Sequence, residues 1–250
     1  MFKLLKKAAS RAPRASIPDG QRAYAIGDIH GRRDLLDQLI ELIQADDAAR
    51  GPAQQQIIFL GDLVDRGPDS AGVVETAMAV AKALPETRFL MGNHEEVFLL
   101  ALEGDLRALK MFCRIGGRET ILSYGLSEDA YNALDYEELL ARLPSLVPDS
   151  HRTFMAGFED MVVLGDYAFV HAGIRPGVPL AEQKQSDLRW IREPFLDHRG
   201  THERIVVHGH SITAEVETTS ARIGIDTGAY MSGTLTALGL EGETRWQLST

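Results

Sequence analysis

Acidic, imidazole and amide side chains recur in this sequence beside glycine, each time after a short apolar run. Gly27-Asp28-Ile29-His30-Gly31 is the first such cluster, and Gly61-Asp62-Leu63-Val64-Asp65-Arg66-Gly67 is the longest. Gly92-Asn93-His94-Glu95, His171-Ala172-Gly173, His208-Gly209-His210 and Asp226-Thr227-Gly228 continue the series. In an extended chain, residues two apart face the same way, so Asp28 and His30 can address one ion through a carboxylate oxygen and an imidazole nitrogen. A single Asp-x-His pair is more often a carboxylate ordering a histidine. The flanking glycines, which permit tight turns and close backbone approach, and above all the recurrence, favour a metal site. Oxygen and nitrogen ligands without thiolates suit Mn, Fe or Zn and exclude a cysteine-based structural zinc site. Asp62, which opens the longest cluster, is the natural carboxylate to bridge two ions. Two such cations would share a water, lower its pKa toward neutrality, present hydroxide for in-line attack on phosphorus and neutralise the phosphoryl oxygens.

These clusters need rigid strand ends to hold them, and the hydrophobic pattern supplies them. Strands are predicted at Ala23–Ile26, Ile57–Leu60 and Arg88–Met91, each followed by a helix: Arg32–Asp46, Ser70–Leu84 and one opening near Asn93. In the first helix Leu35, Leu36, Leu39, Ile40 and Ile43 recur at helical spacing. Residues from about 105 to 160 read as a helical insertion broken at Gly116-Gly117, Gly125, Pro144 and Pro148. Strand character returns at Met161–Leu164, Tyr167–Val170, Arg204–Val207, Ala221–Ile225 and Thr234–Leu240. The pattern is that of an α/β fold with two packed sheets and helices outside. It places one domain at residues 18–250 behind a basic tail at residues 1–17.

Composition limits the partners. With 250 residues, 44% of them hydrophobic, a substantial core is affordable in one domain. The formal charge of −10 argues against nucleic acid as a general partner, since binding a polyanion depends on clustered Lys and Arg. Lys3, Lys6, Lys7, Arg11 and Arg14 precede the first acidic residue, Asp19. That segment is either a solvated tail or a short basic amphipathic stretch suited to an anionic membrane surface or an acidic partner. It lacks the apolar run of a secretory signal, so a cytoplasmic protein is expected. Cys113, the only cysteine, excludes an intrachain disulfide and reads as a small buried apolar residue.

Taken together, GDIHG at 27–31, GDLVDRG at 61–67, GNHE at 92–95, HAG at 171–173 and GH at 209–210 resemble the phosphoprotein phosphatase (PPP) branch of the calcineurin-like metallophosphoesterases, particularly its bacterial members. The resemblance covers nearly everything after the basic tail. It implies the calcineurin-like metallophosphoesterase fold, two mixed β-sheets flanked by helices in an αββα sandwich. It also implies that Asp28, His30 and Asp62 hold one divalent ion and that Asp62, Asn93, His171 and His210 hold the other, manganese being the first choice. His94 resembles the family's general acid with Asp65 as its carboxylate partner, and Arg66 and Arg192 resemble its phosphate-binding arginines, with Asn93 beside them. His208 is left as a neighbour of the ligands, Asp226 as a structural support of the ligand loops, and His151, His198 and His202 as surface groups.

The activity expected from the resemblance is serine/threonine phosphatase action on a phosphoprotein or phosphopeptide. Asp65 and Glu95 separate it from the rival, a symmetrical bis(5'-nucleosyl)-tetraphosphate hydrolase, which typically shows alanine at the first position and GNHD at the second. A catalytically inactive binding protein is a third reading, disfavoured because no ligand is missing. Arg32 and Arg33 add charge beside the first motif, either to attract anionic flanking sequence or as a solvated helix start.

Overall fold

The computed structural model describes residues 14–250. Lys3, Lys6, Lys7 and Arg11 of the basic segment therefore lie outside the described residues. Packing begins earlier than residue 18. Ile17 is buried and donates its N–H to the Gly242 carbonyl at 3.1 Å, and Ser16 donates its N–H to the Asp166 carboxylate at 3.0 Å. The apolar Ile17 side chain fills the edge of the layer between the sheets, which polarity alone did not indicate.

The first half alternates strand and helix: β1 (Gln21–Ile26), α1 (Arg33–Arg50), β2 (Gln54–Phe59), α2 (Ser70–Ala83), β3 (Arg88–Phe89) and α3 (Asn93–Leu102). Five helices follow, α4 (Leu106–Ile115), α5 (Gly117–Ser123), α6 (Glu128–Ala133), α7 (Tyr136–Leu146) and α8 (Asp149–Ala156). Gly116 ends α4 in a left-handed conformation, and Pro148 caps α8. Pro144 does not break α7: it lies in the last turn, where it removes one bond, to the Leu140 carbonyl, shortly before the helix ends at Leu146. The second half holds β4 (Met161–Leu164), β5 (Tyr167–Val170), α9 (Gln185–Trp190), α10 (Glu193–Leu196), β6 (Ile205–His208), β7 (Glu217–Thr218), β8 (Arg222–Gly224), α11 (Ala229–Ser232), β9 (Thr236–Glu241) and β10 (Thr244–Ser249).

These strands form two five-stranded mixed sheets, ordered β10-β9-β1-β2-β3 and β4-β5-β6-β8-β7. Strand periodicity builds the layers. Ala23, Ala25, Ile58 and Leu60 point inward against Val162, Phe169, Val207 and Ile223 of the other sheet. Tyr24, Ile26, Ile57 and Phe59 point outward under Leu36, Leu39, Val73 and Val74 of α1 and α2. On the far side Val170 and Val206 meet Leu188, Ile191 and Phe195 from the segment of α9 and α10. The result is the four-layer αββα sandwich. The helical insertion extends the first helical layer through Leu109, Phe112, Ile121, Leu139 and Met155.

β1, β2 and β3 run parallel, as do β5, β6 and β8. Their carboxyl ends therefore open toward one edge, where ligands bind in parallel α/β layers, and every cluster found in the sequence leaves one of those ends.

Candidate metal centre

The loops that leave these strands are held in strained conformations. Among the described residues, the non-glycine positions with positive φ are His30 (47°), Asp62 (51°), Asp65 (75°), Arg66 (67°) and His210 (62°), and all five belong to the site. Such conformations cost about 1–3 kcal/mol each and persist only where the surroundings over-determine them.

Glu95 is the main restraint. Its buried carboxylate accepts N–H bonds from Asp62 (2.8 Å), Leu63 (2.7 Å), Val64 (3.2 Å) and Gly92 (3.1 Å). Burial pushes this carboxyl up to about 7, with Asp62 adding to the rise, while the backbone donors favour the anion. Glu95→Ala should lower stability by about 3 kcal/mol or more, since several buried donors lose their acceptor at once. A urea melt monitored by circular dichroism measures it, and a loss within 0.5 kcal/mol, typical of a surface site, would remove Glu95 from this role.

Asp62 lies at the middle of the cluster. Its carboxylate is 3.6 Å from His30 Nε2, 3.8 Å from His94 Nε2 and 3.4 Å from His171 Nε2. Two buried triplets, His30/Asp62/His94 and Asp62/His171/His210, have ligand atoms close enough to share an ion, with Asp62 common to both. Asn93 Oδ1 is 3.0 Å from His171 Nε2. Asp28 stands outside these triplets: one of its oxygens accepts the His210 N–H at 2.9 Å, and Oδ1 is buried without a partner.

These groups fit cations. His30 Nδ1–H donates to the Val64 carbonyl and His171 Nδ1–H to the Leu60 carbonyl, both at 2.8 Å, which leaves each Nε2 as a lone pair turned inward. His171 Nε2 and Asn93 Oδ1 then face each other as two acceptors, and His210 Nε2 has no partner. Burial keeps the rings neutral, lowering His30 to about 3 and His210 to about 2, and lowering His171 as well. Burial opposes ionisation of Asp62, but the surrounding histidines in their protonated forms, His171 foremost, hold its carboxyl below the usual range. Asp28 is raised by burial and by the Asp226 and Asp62 carboxylates. Two glycines admit the crowding. A Cβ on Gly209 would sit 2.0 Å from Asp28 Oδ1, and one on Gly92 would sit 2.2 Å from Asp62 Oδ1.

Beside the triplets, His94 Nδ1 is 2.6 Å from Asp65 Oδ2. Burial pulls the His94 pKa down, but the Asp62 and Asp65 carboxylates outweigh it and raise it above the ordinary value. Arg66 donates to His30 Nε2 at 2.9 Å and to His94 Nε2 at 3.0 Å. Arg192 is exposed at the rim and donates to the His210 carbonyl at 3.3 Å.

Other expected positions differ in detail. His151 is not a surface group: it is buried, with Nδ1 3.0 Å from the Tyr124 hydroxyl. His198 and His202 are half-buried and stack at 4.8 Å. His208 is buried with Nε2 unpartnered, lowered to about 4 by burial. Asp226 accepts the Gly228 N–H at 2.9 Å. Arg32 pairs with Asp34 at 2.6 Å, and Arg33 faces Asp37 and Asp69 at 3.5 and 3.7 Å, so their charge is locally answered at a helix start. Cys113 is half-buried, and burial pushes its thiol up. Tyr230 joins the site unforeseen: its ring lies edge-on to His30 at 5.4 Å and 4.9 Å from the Arg66 guanidinium. The only signal was its place two residues after the Asp226-Thr227-Gly228 cluster.

The αββα sandwich with a buried Asp/His cluster at its strand ends is the architecture of the calcineurin-like phosphoesterases. The family profile for calcineurin-like phosphoesterase matches residues 22–229, and the chain belongs to that family. A symmetrical bis(5'-nucleosyl)-tetraphosphatase of Methylococcus capsulatus is 35% identical over 186 residues, 74% of this chain and 51% of that protein. The chain thus spans about half the length of that relative. The asymmetrical bis(5'-nucleosyl)-tetraphosphatase PrpE of Bacillus thuringiensis is 25% identical over 234 residues, 85% of this chain and 88% of that protein. A crystal structure provisionally named a diadenosine tetraphosphatase superposes with a TM-score of 0.62 at 20% identity, covering 95% of this chain and 98% of the other, a likeness of fold. Divalent metal ions are the cofactors the family implies. The superfamily expected from the motifs is therefore correct, while these relatives carry the name of the rival activity and not of the phosphoprotein phosphatase branch.

Proposed function

We propose that the chain hydrolyses dinucleoside polyphosphates at a two-metal centre. The observation that carries this reading is the shared naming of its relatives, symmetrical and asymmetrical bis(5'-nucleosyl)-tetraphosphatases alike. Of the two positions that favoured a protein phosphatase, Glu95 loses its force. Its carboxylate is spent on four backbone donors and does not face a substrate. Asp65 keeps some, because it supports a proton donor. A phosphoserine or phosphothreonine leaving group departs as an alkoxide and needs that proton, whereas a nucleotide departs as a stable phosphate anion and needs it less. The His94–Asp65 pair therefore favours, as a second reading, phosphomonoester hydrolysis on proteins.

The same residues would serve either substrate. Asp28, His30, Asp62, Asn93, His171 and His210 would hold the ions, manganese being the first candidate. When bound, the ions supply Lewis acidity toward the phosphoryl oxygens and toward water. Arg66, now against His30 and His94, must turn away from them to grip two phosphoryl oxygens with its planar guanidinium, and that turn frees His94 Nε2 to carry a proton. Arg192 at the rim supplies a second cation for the phosphate chain.

With manganese supplied, kcat/KM for diadenosine tetraphosphate should exceed that for a phosphoserine peptide by at least about tenfold, a difference near 1.4 kcal/mol in barrier. Two molecules of ADP as products would mark symmetrical cleavage, and ATP with AMP asymmetrical cleavage. A preference of the same size for the phosphoserine peptide would replace this reading with the second, and a preference for a phosphotyrosine peptide would overturn both.

A further inference from the structure

The helical insertion places a buried hydroxyl against the partner of the proton donor. Thr120, in α5, is fully buried and lies 55 residues from Asp65 in sequence. Its Oγ1 is 2.6 Å from Asp65 Oδ1, 2.8 Å from the Asp65 nitrogen and 2.9 Å from Ser70 Oγ. A threonine hydroxyl has one proton and two lone pairs. An ionised Asp65 carboxylate can only accept, so the single proton goes to Oδ1. Both lone pairs are then acceptors, one for the Asp65 N–H and one for the Ser70 hydroxyl. Ser70 Oγ in turn accepts from the Asp65 N–H at 3.0 Å. The directions of these bonds are therefore fixed.

We propose that Thr120 is a positioning residue for His94, acting through Asp65. The carboxylate torsion of an aspartate is broad and close to two-fold, so nothing intrinsic sets its plane. With Oδ1 tied to Thr120 and Oδ2 2.6 Å from His94 Nδ1, both oxygens are fixed, and the imidazole takes its orientation from that plane. Ser70 cannot substitute, since it bonds the Asp65 nitrogen and not the carboxylate. The same insertion seats the next residue: the Gly116 carbonyl accepts the Arg66 N–H at 3.0 Å. The insertion thus supports Asp65 and Arg66 together at the turn where both hold positive φ.

The inference rests on His94 as proton donor, and the test separates the two. The metal-loaded protein is assayed with a phenyl phosphate and a nitrophenyl phosphate, which differ in how much the leaving oxygen needs a proton. Thr120→Val keeps the shape and removes the hydroxyl. It should lower kcat on the phenyl ester by about tenfold or more, a part of what a general acid contributes, and on the nitrophenyl ester by less than about threefold. Thr120→Ser should stay within about threefold on both, because the hydroxyl is restored. The low-field proton resonance of the His94–Asp65 hydrogen bond, assigned by its loss in His94→Asn, should shift or broaden in Thr120→Val and persist in Thr120→Ser. If Thr120→Val does not fold, Thr120→Ala is read in the same way. Equal losses on both esters, no loss on either, or an unmoved resonance would overturn the inference. If His94→Asn itself shows no dependence on the leaving group, the proton-donor reading fails instead.

Discussion

Asp62→Asn should lower turnover by more than about 10³-fold, beyond the cost of losing one preorganised hydrogen-bond donor, and should leave the purified protein with fewer than the two ions per chain expected of the unaltered one. Asp62 is the residue common to both ligand triplets, and three histidine nitrogens lie within 3.8 Å of its carboxylate. An asparagine keeps the shape and loses the charge. Its amide would also put a donor in place of one of the two oxygens, and the oxygen that remains would be needed to accept the His94 backbone N–H, which Asp62 Oδ1 now accepts at 3.1 Å. The fold should not suffer in proportion. Burial first, and the Asp62 charge with it, raise the Asp28 and Asp226 carboxyls, so removing the charge at 62 relieves repulsion on both. In the metal-free protein Tm should stay level or rise, the usual trade between a charged site and stability. Metal analysis, calorimetry and turnover on an aryl phosphate measure the three quantities. Retention of a tenth of the activity with full metal content would remove Asp62 from the bridging position.

What the sequence made legible follows from the range of the physics. A short apolar run and the polar cluster after it are local, and β1, β2, β5 and β6 with the ligand-bearing loops behind them were all placed to within a few residues. The sheet edges were less visible. β10 turns only Trp246 and Leu248 toward the core while Thr244, Arg245 and Gln247 remain outside, and its sole turn signal is Gly242 at a φ of 51°. β3 is two residues long: past it Leu90 still donates its N–H to the Phe59 carbonyl at 2.9 Å, while its other side bridges Glu159. Side-chain partners across the fold were legible only where the motifs paired them, as for His94 and Asp65. His151 is buried because Tyr124, 27 residues away, meets it, and Glu95 reads as part of a motif until the loop at 62–64 is folded onto it. Residue types announce which chemistry is available; long-range contacts decide which atom is already occupied.

That distinction bears most on His94. His94→Asn should lower turnover on a phosphate ester with a poor leaving group by about 10²–10⁴-fold, the usual contribution of a general acid, and on an activated nitrophenyl ester by far less. The geometry makes the difference specific. Nδ1 is held by Asp65 at 2.6 Å, so Nε2 alone faces the cluster, and two carboxylates raise its pKa against the pull of burial. A raised value keeps the ring charged up to a higher pH, so the loss on the poor leaving group should appear in the unaltered protein as pH climbs past that value. Asparagine cannot deliver the proton, yet it leaves Asp62 and the remaining ligands in place, so metal content should stay unchanged. The variant also weighs the two proposed substrates. With a nucleotide as leaving group the loss should be closer to that of the activated ester, and with phosphoserine closer to that of the poor one. A loss equal on all of them would place His94 among the ligands, beside His30 and Asp62 where its Nε2 already lies.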